Sequence, residues 1–179
     1  QPADVKSSVH TSIAISIISG IAVAVVGFIL SKPLLAMMGT PDDIIDLSVL
    51  YMKIYFLGMP ASMIYNFGAA ILRAIGDSRH PMYYLVITGS VNVIFNLFFV
   101  LVLNMSVDGV AWATVISQYL SALLIIVCLM RSEGAIRFIP RQMRIDFNKI
   151  KMIIKIGLPA GIQGVLFSIS NVLIQSAVN

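Results

Sequence analysis

Long oily stretches separated by short polar ones make up this chain. Residues 11–31 are apolar or small and carry no charge, which meets the roughly 20 residues a helix needs to cross about 30 Å of hydrocarbon. Comparable runs follow at 47–72, 82–103, 109–130 and from 157 to at least 179. The pattern predicts five membrane-spanning helices, an all-α polytopic membrane helical bundle.

The polar breaks predict how the spans begin and end. On the first span Gly20, Ala24 and Gly27, with Ser16 and Ser19, give a small face for a closely packed neighbour. Lys32 and Pro33 are expected to end or kink that helix, and Thr40 to cap the next one ahead of Pro41. Gly58 and Pro60 predict a kink inside the second span. Gly76-Asp77-Ser78 is a turn signal, with Pro81 suited to the first turn of the following helix. Arg73, Asp77 and Arg79 are expected to organise this turn. Asn104 to Gly109 is so short that the third and fourth spans must be antiparallel neighbours.

Composition agrees: 59% of residues are hydrophobic and 11% charged, against about 25% charged in soluble domains. This excludes an ordinary soluble protein. The single cysteine, Cys128, excludes an internal disulfide. Charge placement says more than the net +4. Ten of the twelve Lys and Arg lie in the N-terminal segment, the 73–80 turn and the 131–155 loop, while Lys32 and Lys53 share the other side with Asp42, Asp43, Asp46 and Asp108. The positive-inside rule therefore puts residues 1–10, 73–80 and 131–155 on the cytoplasmic side of the cell membrane. Within the last of these, Met143, Phe147, Ile150 and Ile154 recur at helical spacing among seven cations. That spacing predicts a basic amphipathic helix lying on the membrane surface, drawn to anionic lipid. No aromatic interleaving points to nucleic acid. With no initiator Met and an apolar run at its C-terminal end, the chain is expected to be a piece of a longer protein.

The spans hold no constellation for catalysis. His10 and His80 sit at span edges without a second metal ligand at suitable spacing, and glycine-rich phosphate loops are absent. Neither an enzyme nor a resident cofactor is expected. What the oily runs do contain is amides and hydroxyls: Asn66, Asn92, Asn96, Thr114 and Gln118, then Gln163 and Asn171 in the fifth span. Polar groups at membrane depth either hydrogen-bond between helices or line a cavity. Asn92 and Asn96, four residues apart, share one helical face. Five spans that each present small or amide residues tip the balance toward a shared polar cavity.

Four motifs resemble the multidrug and toxic compound extrusion family of transporters. They are Gly68-Ala-Ala-Ile-Leu-Arg-Ala-Ile-Gly-Asp-Ser-Arg-His-Pro81, Asn92-Val-Ile-Phe-Asn96, Gly109-Val-Ala-Trp-Ala-Thr-Val-Ile-Ser-Gln118 and Ile156-Gly-Leu-Pro159. The resemblance implies a two-lobe transporter of twelve helices, of which these five spans are the third to seventh. Residues 1–130 would be the last four helices of the amino-terminal lobe, 131–156 a basic cytoplasmic linker with its amphipathic helix, and 157–179 the first helix of the carboxy-terminal lobe.

It further implies efflux of amphipathic or cationic small molecules by alternating access, in exchange for Na⁺ or H⁺, by a protein expected to be monomeric. Asn92 and Asn96 would belong to the cation-coupling site, with Asn66, Thr114 and Gln118 lining the same lobe and Gln163 and Asn171 the other. Two departures stand out. Asn96 occupies a position where the family commonly has Asp, and an amide can coordinate Na⁺ but cannot exchange a proton near neutral pH. Phe167 stands where some members carry a Glu ten residues after the glycine of the Gly-Leu-Pro motif. The alternatives are a lipid-linked oligosaccharide flippase of the wider superfamily, favoured if the cavity were basic, and a non-transporting membrane scaffold.

Overall fold

The computed structural model describes residues 2–178, apart from the side chains of 2, 160, 169 and 171–178. Six α-helices account for most of it: α1 (Pro2–Met37), α2 (Ile45–Leu57), α3 (Met59–Ala74), α4 (Arg79–Leu97), α5 (Val107–Arg131) and α6 (Phe147–Val178). No strand occurs among the described residues. Helices α1, α4, α5 and α6 are each long and apolar enough to cross a membrane, and α2 with α3 makes a fifth span bent by 44°. The chain is a multi-pass membrane protein.

The bend falls at Gly58 and Pro60, where the sequence predicts it. Proline cannot donate its backbone hydrogen bond, so the helix breaks and restarts. Tyr119 of α5 donates a hydrogen bond to the Leu57 carbonyl at this break (3.1 Å), restoring a partner that lipid could not supply.

Elsewhere the helix ends differ from the sequence expectation. Helix α1 runs through Lys32 and Pro33 to Met37. The carbonyl four residues before the proline belongs to Ile29, on an exposed stretch of helix. Thr40 does not cap α2, which starts after Ile44 without a side-chain cap. Instead Thr40 N–H donates to the Leu35 carbonyl (3.2 Å) and Gly39 N–H to that of Ala36 (3.1 Å). This closes α1 with the left-handed glycine motif, Gly39 having φ +72°. Helix α3 ends the same way, through Asp77 N–H to Leu72 O (3.0 Å), Gly76 N–H to Arg73 O (3.0 Å) and Gly76 at φ +88°. The expected surface helix is no separate element: Met143 precedes it, and α6 starts at Phe147 and runs unbroken through Gly157 and Pro159.

Packing follows the logic of a bundle in lipid, where small residues let backbones approach and apolar side chains can face outward. Ala61, Ala69, Ala111 and Ala113 are fully buried, while Ile29, Val86, Ile94 and Leu101 are well exposed. A cluster of Val9, Ile13, Tyr65, Leu72, Ile125, Leu129 and Phe138 ties α1, α3 and α5 together at the end bearing residues 1–10 and 73–80. Two buried hydroxyls satisfy themselves on their own helix. Ser31 donates to Gly27 O (2.6 Å) and Ser117 to Ala113 O (2.8 Å).

The turn between α3 and α4 is organised by Asp77 and His80. Asp77 accepts from the His80 N–H (3.2 Å), and its other oxygen lies 2.6 Å from the ring Nδ1. Arg73 and Arg79, expected to share this task, are exposed and form no ion pair among the described residues. Partial burial works to raise the Asp77 carboxyl, but the backbone and ring of His80 outweigh it and lower the pKa. Removing this cap in Asp77→Ala should cost about 1 kcal/mol, read from melting of the purified protein in detergent. A lowered pKa means the stabilisation is fully present above the unfolded carboxylate's value of about 3.9 and fades as pH falls through the folded value. The gap between wild type and variant should therefore close as the pH is taken down through the folded value.

Candidate functional site

The inward stripes of α4 and α5 carry the polar groups. On α4, positions 85, 88, 89, 92 and 96 fall on one face, as do 114, 117, 118 and 121 on α5. Leu85, Thr88, Gly89 and Asn92 meet Thr114, Ser117, Gln118 and Ser121 around a pocket of about 260 Å³. A second pocket of about 230 Å³, reaching α3 through Ser62, Tyr65 and Asn66, shares Leu85, Gln118 and Ser121 with the first. The pair forms one groove across three helices. None of its lining residues is formally charged at neutral pH.

A directed relay of hydrogen bonds runs along the groove. Asn96 Nδ2 donates to Asn92 Oδ1 (3.1 Å), Asn92 Nδ2 to Thr114 Oγ1 (3.4 Å), and Thr114 to the Val110 carbonyl (3.0 Å). Every donor points the same way, so the free acceptor is left at the other end. Asn96 Oδ1 is buried and takes no hydrogen bond from the protein, and the same is true of Gln118 Oε1. Buried polar atoms are nearly always partnered, so an unpaired amide oxygen on Asn96 of α4 and another on Gln118 of α5 call for a reason. Gln118 Oε1 occupies the space that a Cβ on Gly58 would need. A glycine at the break of α2 and α3 is what admits this side chain.

Asn92, Asn96, Thr114 and Gln118 are thus brought together, and Asn66 joins through the second pocket, although it is exposed. Gln163 is exposed on α6 and lines neither pocket. The side chain of Asn171 lies outside those described. Sequence reasoning missed Ser121, whose hydroxyl lies 2.8 Å from Thr88 Oγ1 and links α5 to α4. Its spacing from Ser117 and Gln118 was the available signal. The wide π turn at Phe98–Val102, directly after Asn96 and Leu97, was also unforeseen. It is closed by Leu103 N–H to Phe98 O (3.2 Å) and ends the helix that α4 began. Among the described residues no three His, Cys, Asp or Glu side chains gather as a metal site.

Residues 1–98 match the family model described as MatE. The chain is 32% identical over 183 residues to the probable multidrug resistance protein YoeA of Bacillus subtilis (strain 168), covering 97% of this chain and 39% of that protein. It is 31% identical to the probable multidrug resistance protein YpnP of the same organism, over 86% of this chain and 34% of that one. Among solved structures, the outward-facing conformation of a multidrug resistance MATE family transporter of the MOP superfamily superposes with a TM-score of 0.81 at 25% identity. That match covers 92% of this chain and 36% of the other. A MATE crystal structure in the bent conformation gives a TM-score of 0.80 at 22% identity, over 94% and 42%. The chain spans well under half the length of these relatives.

Proposed function

Because this chain belongs to the multidrug and toxic compound extrusion (MatE) family, we propose that it works as part of a cation-coupled exporter of amphipathic or cationic small molecules that alternates between inward and outward openings. In this reading residues 1–130 complete one lobe, 131–156 connect the lobes and 157–179 begin the second. Residues 1–10, 73–80 and 131–155 face the cytoplasm.

The observation that carries the proposal is the uncharged groove between α3, α4 and α5, lined by Gln118 with its unpaired oxygen and joined through Asn92 to Asn96, whose oxygen is unpaired as well. An oxygen ligand suits a hard cation, and the relay through Asn92 and Thr114 leaves Asn96 Oδ1 as a buried acceptor with no protein donor. Na⁺ is the coupling ion to which this groove offers a ligand directly. A proton would need a carboxylate contributed from elsewhere in the protein, since amides do not titrate. A neutral lining also favours export of amphipathic cations over flipping of an anionic lipid-linked sugar, for which a basic cavity would be required.

The test is transport by the full-length protein in proteoliposomes, with a fluorescent amphipathic cation as cargo and an imposed Na⁺ or proton gradient as drive. Asn92→Leu with Asn96→Leu should abolish gradient-driven efflux while inserting in the membrane at wild-type yield. Undiminished efflux by that variant would remove these residues from the coupling site. Absence of gradient-driven efflux by the wild type under either ion would favour the scaffold reading.

A further inference from the structure

A polar cavity of about 500 Å³ outside the groove lies where the first turns of α1 meet the loop before α6, and is lined by Lys6, Ser7, His10, Arg141 and Arg144 among others. Its walls are fixed by hydrogen bonds between segments more than a hundred residues apart. Ile139 N–H donates to His10 Nε2 (3.2 Å), Thr11 Oγ1 to the Arg144 carbonyl (3.3 Å) and Asp146 N–H to Thr11 Oγ1 (3.2 Å). His10 and Thr11 are themselves buried. The loop is thereby held against α1 with Lys6, Arg141 and Arg144 around one opening.

The nearby acids are already engaged. Asp146 accepts from Ser7 Oγ (3.2 Å) and from the Asn148 N–H that opens α6 (2.9 Å), and Asp4 pairs with Lys149 (3.1 Å). Lys6, Arg141 and Arg144 have no carboxylate within ion-pair distance among the described residues. Three unpaired cations around a pinned cavity leave a place for an anion with several oxygens, and a phosphate matches guanidinium geometry. Exposed Met143, Ile145 and Phe147 lie beside them. Cations next to outward apolar side chains are the pattern of a protein surface set at the headgroup level.

We propose that this cavity holds the phosphate headgroup of an anionic phospholipid, with Lys6, Arg141 and Arg144 as its ligands and Met143, Ile145 and Phe147 against its acyl chains. The proposal rests on the membrane topology and is independent of what the protein exports, because it is read by binding without transport. A basic residue near an anionic lipid surface is worth about fivefold in binding. Removing two of the three cations should therefore weaken a lipid at this place by roughly 25-fold.

The experiment is native mass spectrometry of the full-length protein in detergent, titrated with phosphatidylglycerol, phosphatidylcholine or inorganic phosphate. The expected result is preference for phosphatidylglycerol over phosphatidylcholine, lost in Arg141→Gln with Arg144→Gln and reduced in Lys6→Gln from the opposite wall. A charge-matched control, Arg131→Gln with Arg137→Gln, should keep the preference because neither residue lines the cavity. Equal loss in control and pocket variants would overturn the site in favour of diffuse attraction. Displacement of the lipid by equimolar inorganic phosphate would overturn the lipid as its source. Equal binding of the two lipids by wild type would overturn it outright.

Discussion

Gly20→Ala should lower the melting temperature and folded yield of the protein in detergent, whereas Gly89→Ala should leave both unchanged or raise them. Both glycines lie inside helices, and alanine favours a helix over glycine by up to about 1 kcal/mol. What separates them is the surrounding space. A Cβ on Gly20 would sit 2.5 Å from Pro60 Cα and 3.2 Å from Pro60 N, atoms of a backbone that cannot rotate away, while nothing lies within 4 Å of one on Gly89. Forcing atoms into a filled contact costs about 1–3 kcal/mol. At Gly20 that penalty exceeds the helix gain, and the expected net loss is about 1 kcal/mol. Gly20 is where α1 crosses the restart of the bent span, so the loss should loosen α1 from α3. Equal melting of the two variants would mean that α1 and α3 do not touch at this point.

Gln118→Met should raise stability and lower export together. Methionine matches glutamine in length and removes a buried oxygen with no hydrogen-bond partner, whose desolvation costs about 1–3 kcal/mol. If Gln118 served only to glue helices, the substitution would destabilise. Its place between the two pockets points the other way, and a gain of about 1 kcal/mol in detergent melts is expected. Export by the full-length protein should fall tenfold or more, because the groove loses a polar group at its centre. A variant that melts lower than wild type would identify Gln118 as a structural strut.

The spans, the bend and the hairpin could be read in the sequence because hydrocarbon imposes a minimum length, and because Pro60 and the brief Asn104–Gly109 link leave few backbone options. The start and stop of each helix could not. Pro33 looks like a terminator, yet it lies inside α1. Thr40 has the chemistry of a cap, but which helix it serves depends on Gly39 turning left-handed to close α1 first. The amide positions were visible as single residues, and the relay through Thr114 was not, because it depends on the rotation of α4 against α5. The π turn carries no compositional mark at all.

Among the described residues, helix α6 is fastened to α1 through its start. Asp146 and Lys149 fasten its start to Ser7 and Asp4 of α1, and from Ile154 to Ser168 every described side chain is exposed. At about 1.5 Å of rise per residue, its 32 residues make a beam of about 48 Å. Through this fastening a displacement of α1 is passed directly to the start of α6.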